Sequence, residues 1–149
     1  MKVSNCNIAK ITAYSLVIMA TVMILCIFLN QQIILDILLF TSIILVIAIL
    51  TKIRIITYEF SGGCITIRKA HPFTFKKFIS PEIEFPQNYI LDYNVNNHIV
   101  SGSLALKVKS RNKKYTVKTK LFGFTQTQHQ SISSSLISIV SQNNFNRIN

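Results

Sequence analysis

The chain has 149 residues, half of them hydrophobic, with 16 Lys and Arg against five Asp and Glu, for a net charge of +11. That length allows one small domain with its own core beside any membrane segment. The cysteines, Cys6, Cys26 and Cys64, are odd in number and lack a CxxC spacing, which excludes a disulfide framework and predicts free thiols.

Two apolar stretches come first. Ile11 to Leu29 and Ile33 to Leu50 are separated only by Asn30, Gln31 and Gln32. A helix rises about 1.5 Å per residue, so each stretch reaches roughly 28 Å, close to the thickness of a bilayer core. Residues 1–51 therefore read as a transmembrane helical hairpin, with helices at about 11–29 and 33–51. No small-x-small cleavage site follows Leu29, so a removable leader is not expected. Lys2 and Lys10 flank the first helix, and Lys52 and Arg54 flank the second on the same side. The connection carries no Lys or Arg, so the positive-inside rule places both termini in the cytoplasm. Asp36, four residues into the second helix, reads as an acid near the outer interface or as a polar contact to another membrane subunit. Ala13, Ser15, Ala20 and Thr21 are small enough to permit close helix packing.

No glycine or serine linker follows, so the body beyond residue 51 is expected to sit against the membrane surface, with Lys52 and Arg54 among the headgroups. Residues 52–149 hold 14 of the 16 basic residues and four of the five acids, and should be drawn to anionic surfaces. Alternation now replaces long runs. Ile53 to Phe60 and Cys64 to Lys69, around Ser61-Gly62-Gly63, read as a β-hairpin. His71-Pro72 breaks it, and Phe73 to Phe78 reads as a short third strand. Pro81 and Pro86 bracket a stretch expected to be irregular. Tyr89 to Val95 reads as a fourth strand, with a turn at Asn96-Asn97-His98.

The clearest element is the next hairpin. A loop at Ser110-Arg111-Asn112-Lys113 would pair Lys109 with Lys114, Val108 with Tyr115 and Leu106 with Val117. One face is then apolar, and the other carries Lys107, Lys109, Lys114, Lys118 and Lys120. Like charges facing one another cost stability, so such a face points either to an anionic neighbour or to lysines that keep a sheet surface soluble. Thr125 after Gly123 is a good N-cap for a last, amphipathic helix at about 126–142. Its apolar stripe is Ile132, Leu136, Ile139 and Val140. The tail from Gln142 is polar and expected to fray.

Several strands followed by one capping helix form an informative order. Tyr58-Glu59-Phe60 with Ile65-Thr66-Ile67, the strand at Ile90-Leu91-Asp92-Tyr93, the Leu104 to Leu121 hairpin and Phe122-Gly123-Phe124 together resemble the bacterial pleckstrin-homology-like (PH-like) domain family over residues 52 to about 142. The resemblance implies a membrane helical hairpin plus an α+β body: a small antiparallel sheet or barrel closed by a C-terminal helix. It also implies binding rather than catalysis, in the bacterial inner membrane. Phosphoinositide-binding members of that family carry a basic cluster between their first two strands. Ser61-Gly62-Gly63, read here as that loop, is uncharged, so lipid binding would fall to the lysine face.

A search for chemistry finds little. His71, His98 and His129 lack any paired metal spacing, Glu82 and Glu84 lack a partner pair, and Ser101-Gly102-Ser103 is not a nucleophile elbow. No catalytic residue, metal or cofactor is expected. The expected function is a membrane-anchored interaction module. Its binding residues are Lys52, Arg54, Lys107, Lys109, Lys114, Lys118 and Lys120. Its partners are anionic lipid headgroups, a protein, or copies of itself, with no nucleic acid expected. The alternative is a small structural or accessory subunit of a larger inner-membrane complex.

Overall fold

The computed structural model describes all residues except Gln31, Lys76, Lys77, 97–100, Arg111, Asn112 and Asn149, and describes the side chains of all of those except Ser101, Ser110 and 146–148. The turns expected at Asn96 to His98 and at Ser110 to Lys113 fall largely outside the described residues, as does His98.

The chain opens on a short strand, β1 (Lys2–Ser4). Helices α1 (Cys6–Leu29) and α2 (Ile33–Leu50) follow. Both are long and apolar enough to cross a membrane. Their side chains face mostly outward, Phe28, Ile34 and Phe40 among them. Few residues of the pair are buried: Ala9 and Ala13 on α1, Ile43 and Val46 on α2. Ala13, one of the small residues expected to allow close packing, is thus used within the chain. Helix α1 begins five residues before its apolar run, because Asn5 and Ala9 pack into the body of the protein. At the far end, Asn30 Nδ2 donates to Asp36 Oδ1 at 3.2 Å, giving the acid a local partner.

Beyond the helices, β2 (Ile55–Ser61) and β3 (Cys64–Ala70) form the expected hairpin. Ser61 faces Cys64 across the two-residue turn Gly62-Gly63, both with positive φ, a conformation that side chains with a Cβ resist. The third strand expected at Phe73 to Phe78 does not form at the described residues. Pro72 starts a turn there, and Thr74 N–H donates to the His71 carbonyl. The partner of β3 is instead β4 (Ile83–Pro86), within the stretch expected to be irregular. An edge strand tolerates the flanking prolines because one side of its backbone needs no ladder donors, and Ile83 and Phe85 supply the inward alternation. The first sheet therefore runs β1-β2-β3-β4, all antiparallel, with Val3 opposite Tyr58. Its edge strand β1 comes from the far side of the helical hairpin.

A single helical turn at Gln87–Tyr89 leads to β5 (Ile90–Asn96), β6 (Ser101–Ser110) and β7 (Lys113–Phe122), a second antiparallel sheet. The pairings Lys109↔Lys114, Val108↔Tyr115 and Leu106↔Val117 are those expected from the alternation. Helix α3 (Gln126–Ile148) follows. Thr125 and Gln128 cap its start reciprocally: Gln128 Oε1 accepts from Thr125 N–H, and Thr125 Oγ1 accepts from Gln128 N–H. Ile132, Leu136 and Ile139 enter one core with Tyr58, Ile65, Ile67, Leu104, Leu106, Val108 and Leu121 from both sheets. Each fully buried Leu or Ile contributes about 1.5–3 kcal/mol relative to exposure. Tyr58 and Tyr93, one from each sheet, reach Ser135 and Ser133 of α3. The helix runs six residues past the expected end at 142, because buried Asn143 bonds the Gln87 and Ile90 carbonyls.

Candidate anion-binding cleft

Where α2 meets β2, the backbone turns without glycine. Thr51, Lys52 and Ile53 donate their N–H groups back to Ile47, Ile49 and Leu50, so the last helical turn tightens before the strand starts. Arg54 folds its guanidinium onto the same turn, donating to the Thr51 and Ile53 carbonyls at 2.7 and 3.0 Å. A cation there also complements the negative end of the helix dipole.

Asn5 holds this junction to the rest of the body. Its side chain is 1% exposed. Nδ2 donates to the Phe122 carbonyl at 2.7 Å and to the Arg54 carbonyl at 3.3 Å, while Oδ1 accepts from Ile56 N–H at 2.7 Å. One amide therefore ties the start of α1, the start of β2 and the end of β7. Sequence reasoning missed Asn5, since a lone asparagine before a helix looks like an ordinary cap.

Beside this latch lies a cleft of about 470 Å³. Its cations are Lys52 and Arg54 from the junction, Lys69 from the end of β3, and Lys118 and Lys120 from the outer face of β7. Its apolar lining is Ile49, Ile53, Ile56 and Phe122, and among the described residues no carboxylate lines it. Three salt bridges occur among the described residues: Arg68 with Glu59, Lys69 with Glu82, and Lys107 with Asp92. Lys52, Arg54, Lys118 and Lys120 belong to none of them. Unneutralised cations around an apolar floor suit an anion that carries an apolar chain, because charge pairing and burial are then satisfied together.

The seven expected binding residues thus separate. Lys52, Arg54, Lys118 and Lys120 converge on the cleft. Lys107 lies further along the same sheet face, 2.8 Å from Asp92. The Lys107 ammonium, with the Tyr93 N–H, holds the Asp92 carboxyl below its usual range. Lys109 and Lys114 face each other next to the loop at the opposite end of the hairpin. Lys69 joins the cleft unforeseen. Its register opposite Ile56, at the start of β2, was the signal that could have found it.

Two other titratable groups are shaped by burial. Desolvation raises the Tyr58 hydroxyl, partly offset by Ser135. It lowers His129, whose ring is 4% exposed, packs beside Phe124 and leaves no room for a Cβ at Gly102. Among the described residues, no three His, Cys, Asp or Glu gather as metal ligands. The three cysteines are free. Comparison with protein-family models, with curated proteins and with solved structures found no match.

Proposed function

We propose that this chain is a membrane-anchored, non-catalytic binding module whose junction cleft takes an anionic lipid headgroup. In this reading α1 and α2 span a bacterial inner membrane, and both termini and the β body lie on the cytoplasmic side. The carrying observation is the cleft itself: Lys52, Arg54, Lys118 and Lys120 surround an apolar floor directly beside the end of α2. If α2 spans the bilayer, that position is the headgroup layer, where a phosphate and its glycerol stem meet cations and apolar side chains together.

The arrangement of two antiparallel sheets closed by a C-terminal helix supports a PH-like body. The first two strands are β1 and β2, so the connection between them is the helical hairpin, not Ser61-Gly62-Gly63. Lys52 and Arg54 belong to that connection. With β1 and β2 counted as the first two strands of such a body, Lys52 and Arg54 are the basic residues between them.

The test uses the full chain, because β1 and Asn5 precede the helices. Native mass spectrometry of detergent-solubilised protein, titrated with phosphatidylglycerol or phosphatidylcholine, reads bound lipid directly. We expect a preference for phosphatidylglycerol that the combined Lys52→Gln, Arg54→Gln, Lys118→Gln and Lys120→Gln variant loses, while Lys109→Gln with Lys114→Gln keeps it. Equal uptake of both lipids by the unmodified chain would sink the reading.

A further inference from the structure

The turn between β3 and β4 is fastened to both long helices. The His71 ring sits 3.2 Å from the Leu50 carbonyl through Nε2, and its Nδ1 accepts from Phe73 N–H at 3.4 Å. The ring thus links the turn to the last carbonyl of α2 through Nε2. Phe73 then lies between the His71 ring, 5.5 Å away, and the Tyr14 ring of α1, 5.7 Å away and edge-on. Two residues further, Phe75 is 92% exposed.

The level of this turn along the helices can be read from α1. Tyr14 follows Lys10 by four residues, about 6 Å along a helix axis. It lies inside the apolar run that begins at Ile11, with Lys10 just outside it. Lys10, Lys52 and Arg54 thus mark a charged level, and Tyr14 with Phe73 marks an aromatic level one turn deeper. Aromatic side chains concentrate at that depth of a bilayer, where a ring can leave water without losing backbone hydration.

We propose that residues 71–75 form a third membrane contact, in which Phe73 braces the turn on Tyr14 and Phe75 inserts into the headgroup–acyl boundary beside α1. This rests on the reading that α1 and α2 span the bilayer. The occupant of the exposed Phe75 surface is lipid, because the turn is continuous with the apolar surface of the two helices and is held at their charged end. A wedge there would fix the rotation of the β body about the hairpin and hold the cleft against the headgroup layer.

The chain contains no tryptophan, so single reporters can be read without background. Three variants of the full chain in lipid vesicles separate the possibilities: Phe75→Trp, Phe40→Trp in the middle of α2, and Phe145→Trp on exposed α3. We expect Phe75→Trp emission to be blue-shifted and strongly quenched by lipids brominated near the top of the acyl chain. Phe40→Trp should be quenched by deeply brominated lipids, and Phe145→Trp by neither. Quenching of Phe40→Trp without quenching of Phe75→Trp overturns the wedge and leaves the spanning reading intact. A blue-shifted but unquenched Phe75→Trp means that protein covers the ring, which also overturns it. Absence of quenching at both sites removes the spanning reading and the wedge together.

Discussion

Asn5 shows how one short polar side chain can hold three segments that lie far apart in sequence. Its amide meets the Phe122 and Arg54 carbonyls and the Ile56 N–H. Removing a buried partner costs about 1–3 kcal/mol for each stranded group, far more than the bond contributes on balance. Of its three bonds only that to Ile56 N–H is fully buried, so Asn5→Ala should lower stability by about 1–3 kcal/mol. Thermal unfolding of the full chain in detergent would measure it; a change within error would show that the junction is held elsewhere. His129 makes a second residue-scale prediction. Burial lowers its folded-state pKa below the ordinary 6.5, so between the two values the unfolded chain binds more protons. Its contribution is complete above pH 6.5 and is lost as pH falls from there toward the lower folded value. Stability should decline on acidification across that window, and His129→Leu should flatten the decline. Parallel pH profiles of the two proteins would remove the assignment.

At the scale of elements, the β6–β7 hairpin carries its charge at two separate places. Lys118 and Lys120 line the cleft, whereas Lys109 and Lys114 oppose each other across the ladder at the other end. Directly opposed like charges are worth about 0.2–1 kcal/mol of destabilisation, and an opposite pair gains a similar amount. Lys114→Glu should raise the melting temperature slightly and leave lipid uptake unchanged. A loss of lipid preference would mean that the whole face, and not the cleft, meets the anion. The first sheet makes a different point. The alternation at Phe73 to Phe78, where β propensity is high, read as a third strand, yet the partner of β3 forms at Ile83–Pro86, which ends on a proline and begins two residues after another. Phe85 meets Tyr115 of β7 edge-on at 6.0 Å, so packing between the sheets outweighs local propensity.

For the whole molecule, the insertion of α1 and α2 between β1 and β2 is the dominant fact. Movement of the helices at their base is movement of an edge strand and of Asn5. A chain beginning at residue 52 lacks β1 and uncovers the backbone of β2. We expect it to be poorly soluble or much less stable. A chain in which a short Gly-Ser linker replaces residues 6–52 restores β1 and Asn5, and should recover a cooperative melt. Equal stability of the two would show that β1 is dispensable.

Much of this architecture was legible in the residues themselves. Two apolar runs, a Gly-Gly turn, strict alternation from Leu104 to Leu121 and an i, i+4, i+7 stripe on α3 are local patterns, each set by the geometry of one element. Four of the cleft's five cations were legible as candidates for the same reason, from charge and alternation. Their selection was not. That Lys118 and Lys120 meet Lys52 and Arg54, while Lys109 and Lys114 do not, depends on how β7 packs against the base of α2. That Lys2–Ser4 completes a sheet begun again at Ile55 depends on hydrogen bonds spanning more than fifty residues. Periodicity reports the face a side chain takes, but only tertiary packing decides which faces from distant segments share one space.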